Sequence, residues 1–383
     1  MAELGFTEAH EMFRREIRNF AVKELAPTSK TRLKADRLPD DVIGKLRGMG
    51  LLSMNMPPQY GGQPADWVSV GIAIEELSRV ETAAGLFLLP FQIFAHILKS
   101  ASEPMRGRYM KGMISGNIVP CYGITEPDAG SDIASIKTRA VRDGKNYRLT
   151  GEKTSISWGR NGNLFVVFAK TDSQAGAHGV SAFLVPADAK GLSISFFEDT
   201  GCKPLGRCAI TLDQVAVPES SRLGEEGKGF NIAMGIVDFG RIGLALAALG
   251  TAQACLQQAI DYSKRRIQFN RPIAQFEGVS YLIAEDTTHI SAARGLCYNA
   301  LMMRDRGERH TKESAMCKYW CPELAMRVIH NAIIIHGHVG YSEEHTLEQR
   351  WRDCLGIEFA DGTANIQKII IAREVIGREA VPY

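Results

Sequence analysis

The chain predicts an α+β multi-domain protein: an N-terminal α-helical domain, a small middle β-barrel or sandwich domain, and a C-terminal four-helix bundle. Three observations carry this reading. Near the start, Phe13, Ile17, Phe20, Ala21 and Leu25 recur at helical spacing. Between Ile118 and Pro218 the segments are short, β-branched or alternating, and separated by Gly, Asp and Asn. From Phe230 onward the apolar spacing is helical again, and the many alanines and glycines signal closely packed helices. The expected domains are 1–117, 118–225 and 226–383.

Each element has its own signal. The first helix runs through Leu25, where Pro27 is expected to stop it. A second passes through Val42, Leu46 and Met49 to Gly50, and Pro57–Gly62 reads as a loop before an apolar helix from Trp67 to about Val80. Strands are expected at Tyr147–Thr150, Leu164–Phe168, Val180–Val185, Cys208–Leu212 and Val215–Pro218. Ile242, Leu246, Leu249, Leu256 and Ile260 mark one face of a long helix, and further helical patterns cover 275–303, 313–335 and 364–378.

Composition narrows the function. A chain of 383 residues, 45% hydrophobic and 23% charged, can bury a large core. A net charge of +2 gives no argument for nucleic acid, and Lys264-Arg265-Arg266 lacks interleaved aromatics. The N-terminus has no apolar signal core, and no uninterrupted apolar run approaches the roughly 18 residues of a membrane span. Eight cysteines without a Cys-x-x-Cys pair read as reduced, mostly buried thiols, so a cytoplasmic location is expected. No Gly-x-Gly-x-x-Gly or Walker loop is present.

The best candidate for chemistry is Phe359-Ala360-Asp361-Gly362-Thr363-Ala364-Asn365-Ile366-Gln367. It places one carboxylate just before a Gly-Thr turn and a helix start. A turn fixes where the side chain points, and an apolar setting raises a carboxylate's pKa toward working pH, which suits a general base. Alone, Asp-Gly is also a common turn dipeptide.

Five further motifs surround it: Tyr122-Gly123-Ile124-Thr125-Glu126-Pro127-Asp128-Ala129-Gly130-Ser131-Asp132, Gly151–Ser157, Asp238-Phe239-Gly240-Arg241, Arg266–Ile273 and His336-Gly337-His338-Val339-Gly340-Tyr341. Together with the order of elements, they resemble the acyl-CoA dehydrogenase family of flavoproteins over essentially the whole chain. The resemblance implies FAD. Tyr122, Ile124 and Thr125 would line the flavin ring, with Ser155 and Ser157 behind it, and Ser131 would face both flavin and the pantetheine arm of CoA. Asp238 and Arg241 would border the thioester. Arg266, Gln268, Phe269, Gly337 and His338 would reach the FAD of a neighbouring subunit, and Thr363 and Asn365 would touch FAD again. Read alone, Arg241 looks like a cation at a helix start, where the dipole disfavours it. His336-x-His338 lacks the partners of a tetrahedral metal site, so no metal is expected.

The same resemblance implies the reaction. A base removes the proton α to the thioester carbonyl while hydride leaves the β-carbon for the flavin. The carbonyl is stabilised by the base residue's own N–H and a ribityl hydroxyl, and losing such a donor costs on the order of 10²–10³ in rate. The acyl-CoA substrate, an electron-transfer flavoprotein as acceptor and a homo-oligomer, expected to be a tetramer, follow as expected partners. Glu348–Asp353 aligns with the family's charged turn and brings Asp361 onto the base position, where the family ordinarily has Glu. The other position at which the family carries a base is Gly240. Ser155 stands where a bulky aromatic is common; either space opens beside the flavin or Trp158 or Phe168 refills it. Asp for Glu and Ser155 together suggest a substrate branched or ring-bearing at its α-carbon. The alternative is a nitroalkane-oxidase-like flavin oxidase, which also uses Asp as base.

Overall fold

Pro27 does not end the first helix. In a computed structural model, which describes residues 5–380, helix Glu8–Phe20 runs into a π-helical turn, Ala21–Leu25, and then helix Ala26–Arg32. Pro27 falls in the first turn of that last segment, where a missing N–H costs nothing and the fixed φ suits the helix. The π turn re-registers the backbone so that proline can enter.

The N-terminal helices continue with Asp40–Gly48, Trp67–Ser78, Thr82–Leu86, Leu88–Ile97 and Glu103–Ile114. Trp67–Ser78 and Leu88–Ile97 are buried almost all round. The segments Thr82–Ser100 and Gly229–Arg265 are long and apolar enough to cross a membrane by composition, contrary to the expectation from the sequence. Their apolar windows are 89% and 78% buried inside the fold, which accounts for the composition.

Eight strands form one sheet: β1 Pro120–Gly123, β2 Arg139–Asp143, β3 Asn146–Ile156, β4 Leu164–Lys170, β5 Val180–Pro186, β6 Leu192–Phe196, β7 Cys208–Pro218 and β8 Arg222–Leu223. The order is β6-β7-β3-β2-β4-β5-β8, with β1 parallel to β4. Every residue of β4 is buried, as its unbroken apolar run requires. The β3–β7 ladder shifts register between Lys153 and Ile156, and Ser155 within that irregularity has φ 57°. Such a bulge re-aims the side chains around it.

The C-terminal helices are Gly229–Arg265, Glu277–Asp305, Thr311–His336, Leu347–Phe359 and Ala364–Val375. The long helix crosses Trp67–Ser78 closely enough that a Cβ at Gly250 would strike the Glu75 carbonyl. Its alanines and glycines therefore serve close approach. The charged segment Glu348–Asp353 is helical rather than a turn, with Arg352 paired to Glu348 one turn back at 2.8 Å.

Candidate active site

Asp361 lies between helices Leu347–Phe359 and Ala364–Val375, with φ 52° at Asp361 and 95° at Gly362. Aspartate visits the left-handed region more readily than most side chains, and glycine does so freely. The turn is gripped from three directions. Gln367 Nε2 donates to the Asp361 and Gly362 carbonyls at 3.0 Å each. Lys318 Nζ donates to Glu358 O at 3.3 Å and Gly362 O at 3.4 Å. Arg241 Nε donates to Asp361 O at 3.4 Å. Among the described residues the Asp361 N–H has no acceptor.

The carboxylate points at the long helix. A Cβ placed at Gly240 would lie 2.5 Å from Asp361 Oδ2 and 3.8 Å from Ile93 Cδ1. Asp361 keeps accessible surface while protein surrounds it densely, the combination expected of a cleft-lining group. Desolvation raises its pKa above the ordinary aspartate value, opposed by the charges of Lys318 and Arg241. Burial also pushes Lys318 down to about 8, against the pull of Asp361.

Arg241 does not open its helix. The helix begins at Gly229, so Arg241 sits several turns inside and is 8% exposed. Its charge is met by side chains instead: Asp238 Oδ1 lies 3.4 Å from Arg241 Nη1, and Asp238 also accepts from Thr311 Oγ1 at 2.9 Å.

The β domain comes in through Tyr122, whose hydroxyl donates to Pro90 O at 2.7 Å on helix Leu88–Ile97. Ile124 and Thr125 are half-buried in the same loop, and Thr154 N–H donates to Thr125 O at 2.9 Å. Behind the loop, fully buried Lys153 donates to Ile124 O at 3.0 Å and to Glu126 Oε1 at 2.8 Å. Glu126 also accepts from the Lys137 and Thr138 amides at 2.5 and 2.9 Å. Burial lowers the Lys153 pKa to about 8.

Trp158 and Phe168 are both buried, whereas Ser155 is exposed. Trp158 packs edge-on against Phe87 at 4.9 Å and Phe168 lies fully inside β4. Arg207, paired with Asp199 at 2.6 Å, instead donates to Ser155 Oγ at 3.1 Å. Ser157 is half-buried, and Ser131 is exposed on the loop.

Thr363 and Asn365 are exposed at the start of helix Ala364–Val375, whose first turn has no side-chain cap. Arg266, Gln268 and Phe269 lie on or beside an exposed hairpin, Ile267–Gln268 paired with Arg271–Pro272, and Phe269 is 88% exposed. Gly337 and His338 are exposed on a 3₁₀ turn. No hydrogen bond joins either group to Asp361 among the described residues.

Lys318 escaped the sequence reading, and Gln367, the last residue of the singled-out stretch, was given no role there. The only signal for Lys318 was a lysine on the buried face of an amphipathic helix, with Ser314 and Cys321 at helical spacing.

A carboxylate on a left-handed turn, beside an amide that has no acceptor among the described residues, is an arrangement able to take a proton and to stabilise the charge that develops. The chain belongs to the acyl-CoA dehydrogenase family and is a flavoprotein oxidoreductase of that type. The family's N-terminal domain matches residues 7–117, its middle domain 121–215 and its C-terminal domain 227–376. The chain is 36% identical over 374 residues to an acyl-CoA dehydrogenase of Bacillus subtilis, covering 97% of this chain and 99% of the relative. It is 34% identical to the caffeyl-CoA reductase-Etf complex subunit CarC of Acetobacterium woodii, covering 96% and 98%. The structure of butyryl-CoA dehydrogenase from Megasphaera elsdenii superposes with TM-score 0.93 at 31% identity, covering 97% and 99%.

Proposed function

We propose that Asp361 removes the α-proton of an acyl-CoA whose α-carbon is branched or lies in a ring, a cyclohexanecarboxyl-CoA-like substrate. The observation that carries this reading is the seat of the carboxylate against Gly240, where a Cβ would stand 2.5 Å from Oδ2. Aspartate reaches roughly 1 Å less than glutamate, a displacement that costs about 10²-fold when nothing compensates. A bulky α-carbon that fills the withdrawn space supplies the compensation.

The residues fit FAD. Tyr122, Ile124, Thr125, Ser155 and Ser157 would border the flavin, and the uncapped start of helix Ala364–Val375 with Thr363 and Asn365 offers free amides to anionic oxygens. Ser131 would lie between flavin and pantetheine. The exposed hairpin with Arg266, Gln268 and Phe269, and the turn with Gly337 and His338, would reach the FAD of a second copy, most simply within a tetramer. Bound FAD supplies the acceptor for the hydride that leaves the β-carbon.

The chain's own residues handle the proton. Asp361 Oδ takes it from the α-carbon, and the raised pKa brings the base closer to its target. The free Asp361 N–H donates to the thioester oxygen as negative charge develops there. Lys318, Arg241 and Gln367 hold the turn that carries both groups. Asp238 and Arg241 face the thioester end. An electron-transfer flavoprotein is the proposed redox partner, because the Acetobacterium woodii relative is a subunit of a reductase-Etf complex.

Anaerobic flavin bleaching by a panel of thioesters tests the reading. Cyclohexanecarboxyl-CoA should bleach faster than butyryl- or octanoyl-CoA, and the reduced enzyme should stay reduced in air for minutes. Straight chains reacting as fast as the ring would sink the substrate class. Rapid reoxidation by air alone would favour an oxidase.

A further inference from the structure

Helix Leu88–Ile97 lies along the long helix beside Asp361. A Cβ at Gly243 would strike Leu89, one at Gly240 would touch Ile93 Cδ1 at 3.8 Å, and one at Gly235 would meet His96 Nε2 at 3.8 Å. Leu89, Ile93 and His96 therefore share one face, and helical spacing puts Gln92 on it too. Ile93 and Asp361 flank the same glycine, so this face borders the acyl site proposed above.

Two of its members are polar and unsatisfied. Gln92 is 1% exposed, yet neither its Nε2 nor its Oε1 has a partner among the described residues. His96, half-buried one turn further along, has an unpartnered Nδ1. Buried side-chain amides are almost always hydrogen-bonded, because an unmade bond costs free energy that apolar packing would not. Leucine would fill the Gln92 position without that cost.

We propose that Gln92 and His96 form a hydrogen-bonding wall that recognises a hydroxyl carried by the acyl group. This deepens the proposed function and rests on it for the reaction. The Gln92 amide presents a donor and an acceptor, and a hydroxyl is the smallest group that answers both. A carboxylate would satisfy the amide nitrogen but oppose the amide oxygen. His96 adds no positive charge to attract one: burial and the nearby Arg304 and Lys99 lower its pKa to about 4, leaving it neutral at working pH. The Arg304 guanidinium stacks over Trp67 at 4.2 Å and donates to His310 Nε2 at 3.2 Å.

The test compares two substrate pairs on the FAD-loaded enzyme: cyclohexanecarboxyl-CoA with its 4-hydroxy form, and hexanoyl-CoA with 6-hydroxyhexanoyl-CoA. In whichever pair is turned over faster, the hydroxylated member should have at least tenfold higher kcat/KM. Gln92→Leu should abolish or invert that ratio, with Gln92→Glu as a second variant should the first fold poorly. A ratio near one in the wild type, as a trapped water at Gln92 would produce, overturns the inference. So does a ratio unchanged by Gln92→Leu, or a preference for glutaryl-CoA over both hydroxylated substrates. Failure of the ring reading shows separately, as a faster hexanoyl pair.

Discussion

Gly240 and Asp361 exclude any side chain from the space between them. A β-carbon at position 240 would stand 2.5 Å from the Asp361 carboxylate oxygen, closer than non-bonded carbon and oxygen tolerate. The glycine thus makes room for the carboxylate. A residue carrying a base at position 240 and a carboxylate at 361 could not both keep these positions.

Gly240→Ala should therefore displace the carboxylate. The expected loss in kcat is about 10²-fold, the scale of a 1 Å misplacement, with FAD content unchanged. Stopped-flow reduction against the absorbance ratio of bound flavin separates the two effects. Wild-type reduction rates in this variant would show that Asp361 moves freely.

Lys318 opposes the burial that raises Asp361's pKa. Replacing it with methionine removes a cation that favours the carboxylate, so the acid limb of the kcat/KM profile should move to higher pH. Stability adds an independent check. Lys318 has a folded pKa of about 8 against an ordinary 10.5, so between those values the unfolded chain binds more protons. The wild type should gain stability relative to Lys318→Met as pH rises through that window. Thermal unfolding across it reads the sign directly.

Lys153 and Glu126 form a buried pair behind the Tyr122–Asp132 loop, with side chains 0% and 6% exposed. Lys153→Met strands the carboxylate, at a cost of about 3–5 kcal/mol. Lower thermal stability and weaker FAD retention should appear together. Lost stability with full FAD retention would separate the pair from the loop's positioning.

The fold class was legible because periodicity and turn residues are local, whereas the site motifs were read from a family resemblance. What escaped depends on packing. Pro27 reads as a stop until a π turn shows it entering the next helix. Arg241 reads as a helix-start cation until the helix proves to begin at Gly229. Asp361 stood out through its Gly-Thr turn, but Lys318, which grips that turn from another helix, leaves no local mark, and Gln367 closes the same stretch without its grip showing in the sequence. Ser155 announced a missing aromatic, whereas Arg207 as its neighbour arises from the β3–β7 pairing. Gln92 and His96 look in sequence like two polar residues in an otherwise apolar helix, and only burial makes the Gln92 amide an anomaly.

Asp361→Ala is the most direct test of the proton-transfer role. Mixed anaerobically with cyclohexanecarboxyl-CoA, the wild type should bleach its flavin. The variant should bind FAD and the thioester, seen as a spectral perturbation, yet bleach at least about 10³-fold more slowly, the scale at which positioned proton transfer contributes. Bleaching of Asp361→Ala at the wild-type rate would contradict Asp361 as the base.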